Sequence, residues 1–426
     1  MKLFKEYRGL RREMYILFIG RVMTNLGSMV WPMFTLILNQ KLGFSAGEIA
    51  VYMMLFTILS LPVSLLGGKL ADRFNKKNII VVCDLVSIAA YLFCGFVPIS
   101  IGSILVFAVA SLFQSIEWPS YDALVSDFTT SADRERAFSL QYLGANLGLV
   151  LAPTIGGFLF NDYLNLAFII NGVSIATSTI LIFFLIKDVS REKDNSAAAI
   201  YEAEIDSSIS VFSVISKNRV ALIYILATAL GESVYGMYNY LLPLDMSRVH
   251  GEAGPALFGT VSSVNCITVV VCTAAITRIF RKLTDANKML WGEVLILAGY
   301  VVMLGFIRLP LLCYAGMAVF TFGEIFNATS SSPFISRRIP ASHRGRISSI
   351  SGVFCQMLSA ITRLVIGGIY DKSGSVSAWS STFIIGAVCI AALLVMKAMD
   401  RKDFSALYEL QQAAPQTVQH TTKEAP

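Results

Sequence analysis

The sequence predicts an all-α membrane protein with twelve transmembrane helices in two pseudo-symmetric six-helix bundles, and three observations carry that expectation. Hydrophobic residues make up 55% of the 426 and charged residues only 15%, against about a quarter charged in an average soluble domain. Apolar stretches of roughly 20 residues, the length a helix needs to cross about 30 Å of hydrocarbon, recur twelve times. When these stretches are taken as crossings, 28 of the 34 Lys and Arg fall on the side that holds the N-terminus, and only Lys41, Arg248, Arg308 and Lys372 fall opposite. The positive-inside tendency then places both termini in the cytoplasm of a multi-pass protein of the cell (plasma) membrane. The stretches must be helical, because only helices and closed barrels satisfy their backbone in lipid.

Residues 2–13 carry Leu3, Phe4, Tyr7 and Leu10 opposite Lys2, Lys5, Arg8 and Arg12, which suits either a short interfacial helix or a plain basic flank. The first bundle, within 1–186, has crossings expected over 14–38, 47–67, 78–98, 101–126, 137–160 and 164–186. Residues 187–218 are polar and form a cytoplasmic linker. The second bundle, 219–400, has crossings over 219–243, 255–277, 289–307, 310–335, 346–369 and 376–397. Residues 401–426, rich in Gln, Thr, Ala and Pro toward the end, are expected to be a disordered cytoplasmic tail. The halves look alike at an offset of about 210 residues: Arg134-Glu135-Arg136 matches Arg344-Gly345-Arg346, and Gly156-Gly157 matches Gly367-Gly368.

Polar residues inside crossings are costly and usually functional. In the first crossing Arg21, Asn25, Ser28 and Pro32 recur on one face, although Arg21 is near enough to the cytoplasm to snorkel. Asp84 in the third crossing is expected to neutralise nearby lysines. The fourth carries Gln114, Glu117, Trp118, Tyr121, Asp122 and, at its end, Asp127. Glu232 is central in the seventh crossing, with Tyr235 and Asn239 three and seven residues on. Glu324 is central in the tenth, with Asn327, Ala328 and Ser331 on its face. A carboxylate held there favours its neutral form, so it can exchange a proton or meet a cation. Arg363 in the eleventh crossing either pairs with an acid or snorkels outward.

Two motifs resemble those of the major facilitator superfamily. Gly67 to Lys77 is a charged hairpin between two crossings and is similar to that family's loop G-x-L-A-D-R-x-G-R-K, through Gly68, Leu70, Ala71, Asp72, Arg73 and Lys77. Asn75 replaces the pattern's glycine, and Lys76 replaces an arginine, keeping charge but losing the planar fork. Gly148 to Gly157 is similar to the antiporter pattern G-x-x-x-G-P-x-x-G-G, with Gly148, Pro153, Gly156 and Gly157 in place and Ala152 for one glycine. The resemblance implies that Asp127 pairs with the basic part of the hairpin, and that the hairpin gates alternating access. It implies a secondary transporter resembling bacterial proton-coupled multidrug antiporters. The drug-antiporter pattern R-x-x-Q-G in the fourth crossing is kept only at Gln114, because Ser111 and Ser115 occupy its arginine and glycine positions.

The expected function is therefore export of amphipathic or cationic small molecules in exchange for protons. The proton and substrate residues are Glu324, Glu232, Glu117, Asn239, Tyr235, Asn25, Arg21, Gln114 and Asn327, with Glu324 the main proton exchanger. A symporter or facilitator for a sugar, peptide or metabolite is the alternative, and a non-transporting receptor the alternative of a different class. The partners are protons, a small-molecule substrate and the lipid bilayer, and a monomer is expected. The +6 net charge reads as topology and attraction to anionic lipid, with no nucleic-acid partner. No metal or cofactor is expected, because the seven cysteines lack C-x-x-C spacing and His250, His343 and His420 fall outside the crossings. No phosphate-binding loop is present, so an ion gradient must supply the energy. Nor is there a nucleophile, base and orienter set for an enzyme.

Overall fold

The computed structural model describes residues 7–130, 133–186, 218–339 and 344–405. The linker at 187–217 and the tail from 406 lie outside the described residues, as do residues 1–6 of the proposed interfacial helix. Residues 7–9 of that segment form a turn, and helix begins at Arg12. Every described element is helical, and nine stretches are long and apolar enough to cross a membrane. Two of these, Arg219–Ile279 and Ile347–Asp403, are nearly three times the usual length.

In chain order the helices are α1 (Arg12–Leu26), α2 (Val30–Leu36, continued by a π-helical turn Ile37–Lys41), α3 (Ala46–Arg73), α4 (Lys76–Phe96), α5 (Ile101–Asp127), α6 (Arg134–Leu149), α7 (Ala152–Leu159) and α8 (Leu164–Leu185). After the linker come α9 (Arg219–Tyr235), α10 (Leu241–His250), α11 (Gly254–Ile279), α12 (Asp285–Gly305), α13 (Pro310–Ser336) and α14 (Arg344–Asp403). Gly374, at φ +79°, breaks α14 into two helical runs. A left-handed backbone suits glycine because it has no Cβ to clash.

Three crossings expected to be continuous, 14–38, 137–160 and 219–243, are broken. α1 stops at Leu26 and α2 resumes at Val30, α6 stops at Leu149 and α7 resumes at Ala152, and α9 passes through a 3₁₀ turn at Gly236–Tyr238 before α10. In each case a proline sits at the start of the resumed helix: Pro32, Pro153 and Pro243. Its ring meets the carbonyl four residues back and it donates no N–H, which ends the preceding helix near residues 28, 149 and 239.

These breaks matter because the three short resumed helices meet. At the end of the bundle away from the termini, termed here the far end, one apolar core contains Met33 and Phe34 of α2, Ala152 of α7, Leu241 and Leu244 of α10, and Phe258 of α11. This core belongs to both parts of the chain. Toward the terminal end the cores separate, one holding Leu17, Tyr121 and Leu140, the other Val220, Met289 and Leu393. Polar contacts close the far end further. Asp371 accepts the backbone N–H of Ala46 (3.0 Å) and Gly47 (2.8 Å), Tyr240 donates to Ala46 O (2.6 Å), Thr35 to Asn239 O (2.7 Å), and Asn161 to Glu252 O (2.8 Å). The molecule is therefore joined at the far end and parted toward the terminal end. Its outer surface carries exposed Leu65, Phe184, Val271 and Leu311, a lipid-facing character that a soluble protein would not present so widely.

Candidate functional site

Two neighbouring cavities lie within the second part of the chain, on α9, α12, α13 and α14. The inner one, of about 290 Å³, is lined by Glu232, Tyr235, Glu293, Glu324, Asn327 and Ser331, among others. The larger, of about 770 Å³, shares Glu232, Tyr235 and Ser331 with it and extends to Gln356, Ser359 and Arg363.

Glu324 projects from the middle of α13 and is fixed by two donors, Asn265 Nδ2 of α11 at 2.6 Å and Tyr235 Oη of α9 at 3.2 Å. Asn265 also donates to Thr321 Oγ1 (2.9 Å), one turn before Glu324. Tyr235 ends α9, and the buried Tyr300 hydroxyl contacts the carbonyls of Val234 (3.0 Å) and Tyr235 (3.2 Å). The Tyr235 ring stacks on Phe320 with centroids 5.4 Å apart. Burial and stacking hold that hydroxyl at the carboxylate.

Glu293 of α12 was missed in the sequence, and it is the most enclosed acid of the cavity, 1% exposed. Its Oε1 has no protein partner among the described residues. Its Oε2 lies where a Cβ on Gly231 would come within 3.1 Å, so the absent side chain at 231 makes room for it. Glu232, the next residue, is open to the cavity. Three acids thus face one space, yet no three His, Cys, Asp or Glu among the described residues are grouped closely enough to hold a metal ion. The signal for Glu293 was in the sequence as a carboxylate four residues into an apolar run.

Of the expected proton and substrate residues, Glu232, Tyr235, Glu324 and Asn327 line this cavity together. Asn239 does not share the Glu232 face, because the turn after Tyr235 ends the helical register. Its carbonyl instead takes the Thr35 hydroxyl at the far-end contact. The remaining four lie on the other part of the chain and line neither cavity. Asn25 Nδ2 bonds the Arg21 carbonyl of its own helix (2.8 Å). The Arg21 guanidinium stacks over Trp118 (4.0 Å) and Tyr121 (4.9 Å), so it is held in the protein and does not snorkel. Glu117 lies near Asp84 of α4, while Gln114 is half-buried on α5. Asp84 is 5% exposed and accepts from Thr179 Oγ1 at 2.6 Å. The expectation that it neutralises lysines is therefore corrected.

The hairpin after α3 is built around one ion pair and two caps. Lys76 Nζ lies 2.7 Å from Asp127, Lys77 donates to Ile186 O (2.7 Å), and Asn75 accepts the Asn78 N–H (3.3 Å) as the cap of α4. The cap explains why asparagine fits the position where the family pattern has glycine. Asp72 and Arg73 are exposed. Gly68 has open space around its Cβ direction. Gly67 is the residue that must be small, because a Cβ there would stand 2.7 Å from Ile116 O of α5. In the second motif, a Cβ at Gly148 would meet Val22 O of α1 (2.5 Å), at Gly156 Met29 O (2.8 Å), and at Gly157 Pro255 O of α11 (2.5 Å). Thr154 donates to Ser263 Oγ of α11 at 2.7 Å. The small residues thus bring α7 against α11 across the two parts of the chain.

A family model described as Major Facilitator Superfamily matches residues 16–362. The chain belongs to that superfamily. Its members are transporters, and this one is a multi-pass membrane protein and not an enzyme. Among its relatives is the Na(+), Li(+), K(+)/H(+) antiporter of Planococcus maritimus, 23% identical over 86% of this chain and 95% of that protein. The quinolone resistance protein NorA of Staphylococcus aureus (strain MRSA252) is 21% identical over 85% of this chain and 91% of its own length. Among solved structures, peptide transporter POT in complex with sulfate superposes with a TM-score of 0.74 at 15% identity, covering 93% of this chain and 96% of that one. The nucleoside transporter NupG gives 0.67 at 15% identity, over 90% and 98%. At those identities the structures speak for the superfamily fold alone.

Proposed function

We propose that the protein is a proton-coupled exporter of amphipathic or cationic small molecules that works by alternating access in the cell membrane, as a monomer with both termini cytoplasmic. The single observation that carries this reading is the cavity on which Glu232, Glu293 and Glu324 converge. Acids in a low-dielectric space take up a proton in one state and release it when a cation arrives. Glu324 is the principal proton exchanger, because Asn265 and Tyr235 hold its carboxylate in position. The similarity to a cation/proton antiporter and to NorA supports exchange, with efflux as the direction.

The two long stretches are read as pairs of crossings and the broken α1–α2 as one more. The count is then twelve, divided into bundles over 1–186 and 219–400 that are joined by the 187–218 linker and followed by a 401–426 tail. With the terminal end in the cytoplasm, the described state is inward-facing. In the outward-facing state the hairpin of Gly68, Asp72, Arg73, Lys76 and Lys77, with Asp127, gates the cytoplasmic side, and the helix-5 motif of Gly148, Pro153, Gly156 and Gly157 sets far-end closure. Arg21, Asn25, Gln114 and Glu117 form the opposing wall of the translocation path. Asn239 acts at the far-end gate. Alkali-metal exchange is a second reading, favoured by the Planococcus relative.

The test is reconstitution into proteoliposomes with an internal pH dye. Addition of rhodamine 123 under an imposed pH gradient is expected to drive proton flux in wild-type vesicles and none in Glu324→Gln vesicles. Alkali-metal salts that drive the flux where the organic cation does not would establish the second reading. Proton-independent dye movement would refute antiport.

A further inference from the structure

The larger cavity holds a charge that the exchange reading leaves unused. Arg363 of α14 lines it, about half-way between the break at Gly374 and the helix start at Arg344. Its guanidinium donates from Nε to Ser359 O (3.2 Å) and from Nη2 to Ser359 Oγ (3.2 Å), both on its own helix, and Nη1 faces the Met53 Sδ of α3 at 3.8 Å. No carboxylate pairs with it among the described ion pairs. Among the described residues neither an acid partner nor an outward-snorkelling side chain is seen. A guanidinium has five N–H donors in a planar fork, and a thioether is a poor acceptor for one of them. An arginine held in the interior of a membrane protein without a counter-charge is expensive unless an anion visits it.

The distance to the acids defines what that anion belongs to. A Cβ on Gly236 would stand 3.3 Å from Ser359 Oγ, so these two residues are level in the bundle. Glu232 is one turn before Gly236 and Arg363 is one turn after Ser359, on helices that both run from the terminal end. Because the guanidinium reaches back to Ser359, its charge sits about one turn, roughly 6 Å of helix rise, beyond Glu232, and no ion pair joins the two among the described residues. Both line the same space of about 770 Å³, within the usual range for a drug-sized ligand. Ser359 and Gln356 supply hydroxyl and amide groups beside the guanidinium.

We infer that Arg363 is an anion subsite and that the substrates include zwitterions, in which an amine or other cation meets Glu232 and Glu324 while a carboxylate docks on the Arg363 fork. This deepens the exporter reading and rests on it. A carboxylate takes two parallel N–H bonds from such a fork, so a carboxyl-bearing compound gains over its ester, which offers a weaker acceptor and no charge.

Rhodamine 110 and its methyl ester rhodamine 123 differ in that group alone and serve as the probes. Binding to the purified full-length protein is measured by fluorescence polarisation, and proton-driven transport of each dye is measured in proteoliposomes. Wild type is expected to bind rhodamine 110 at least fivefold more tightly than rhodamine 123. Arg363→Gln is expected to weaken rhodamine 110 binding about tenfold or more while leaving rhodamine 123 within twofold, and Arg363→Lys is expected to recover part of the preference. A wild-type protein that does not distinguish the dyes overturns the inference without recourse to a variant. So does an Arg363→Gln protein that keeps the preference or loses both dyes equally while Arg363→Lys retains both. Failure of the exporter reading gives a different result, namely preferential binding of rhodamine 110 with no proton-driven transport of either dye.

Discussion

Asp371 holds the far end shut by an unusual route, since a carboxylate on α14 caps the first turn of α3 from the other part of the chain. Its two oxygens take the N–H groups of Ala46 and Gly47, which α3 cannot satisfy internally, at 3.0 and 2.8 Å. Hydrogen bonds to a charged acceptor contribute about 1.5–3 kcal/mol each when shielded. Asp371 is exposed, so solvent screening lowers this to about 1 kcal/mol per bond, and the positive end of α3 adds a few tenths more. Asp371→Ala should therefore weaken far-end closure by about 2 kcal/mol, which multiplies the population open at the far end by roughly thirty. The assay is spin-label distance measurement between cysteines placed at Asp162 and Glu252, beside the Asn161–Glu252 contact. A broad long-distance component that grows at least fivefold in the variant is the expected result. Tyr240→Phe, which removes the hydroxyl bond to Ala46 O, should give a smaller change of the same sign. A distance distribution for Asp371→Ala that matches wild type would refute the assignment of this cap as a latch.

Other residues yield sharper yes-or-no outcomes. Gly157→Leu forces a side chain onto the Pro255 backbone and should hold the far end open in the same spin-label assay, abolishing transport, whereas Gly68→Ala should keep wild-type folded yield because nothing lies within 4 Å of its Cβ direction. Asp127→Asn removes the partner of Lys76 and, at about 1 kcal/mol for a partly shielded pair, should slow transport severalfold while leaving equilibrium dye binding within twofold. Glu293→Gln should lower proton-coupled rhodamine 123 transport at least tenfold without loss of folded yield, since Oε1 has no partner to lose among the described residues.

The fold was legible from long-range averages, and its breaks were not. Hydropathy windows of about 20 residues locate crossings well, but they smooth over a two- or three-residue interruption. Pro32, Pro153 and Pro243 carried the missing information, yet Pro62, Pro119 and Pro333 sit inside unbroken helices, so proline by itself does not decide. What separates the two sets is glycine. Gly27, Gly148 and Gly236 precede the breaking prolines by five to seven residues, so the backbone that loses its hydrogen bond is also the backbone with the least cost of leaving helical geometry. The signal therefore lay in the pairing of two residue types across a turn and a half, which neither composition nor a single-residue rule reports.

The site was legible where one helix face decides it and illegible where four helices must meet. Glu324 with Asn327 could be read from spacing on α13, and Glu232 with Tyr235 from spacing on α9. Glu293 and Asn265 come from α12 and α11, and their arrival at the same cavity depends on packing that pairs Gly231 with the Glu293 carboxylate and brings Asn265 to Glu324. Asn239 shows the converse error, because its place on the Glu232 face holds only while the helix does. The break that moved Asn239 away also leaves the Tyr235 carbonyl within reach of the Tyr300 hydroxyl and turns α10 toward α2 and α11. One interruption after Tyr235 thus orders the hydroxyl that positions Glu324 and builds part of the far-end seal. Opening that seal is expected to disturb the turn at 236–238, and with it the tyrosine on the Glu324 carboxylate. The Glu324 carboxylate and the far-end contact are accordingly joined through a single five-residue segment, Tyr235 to Asn239, by direct contact at both ends.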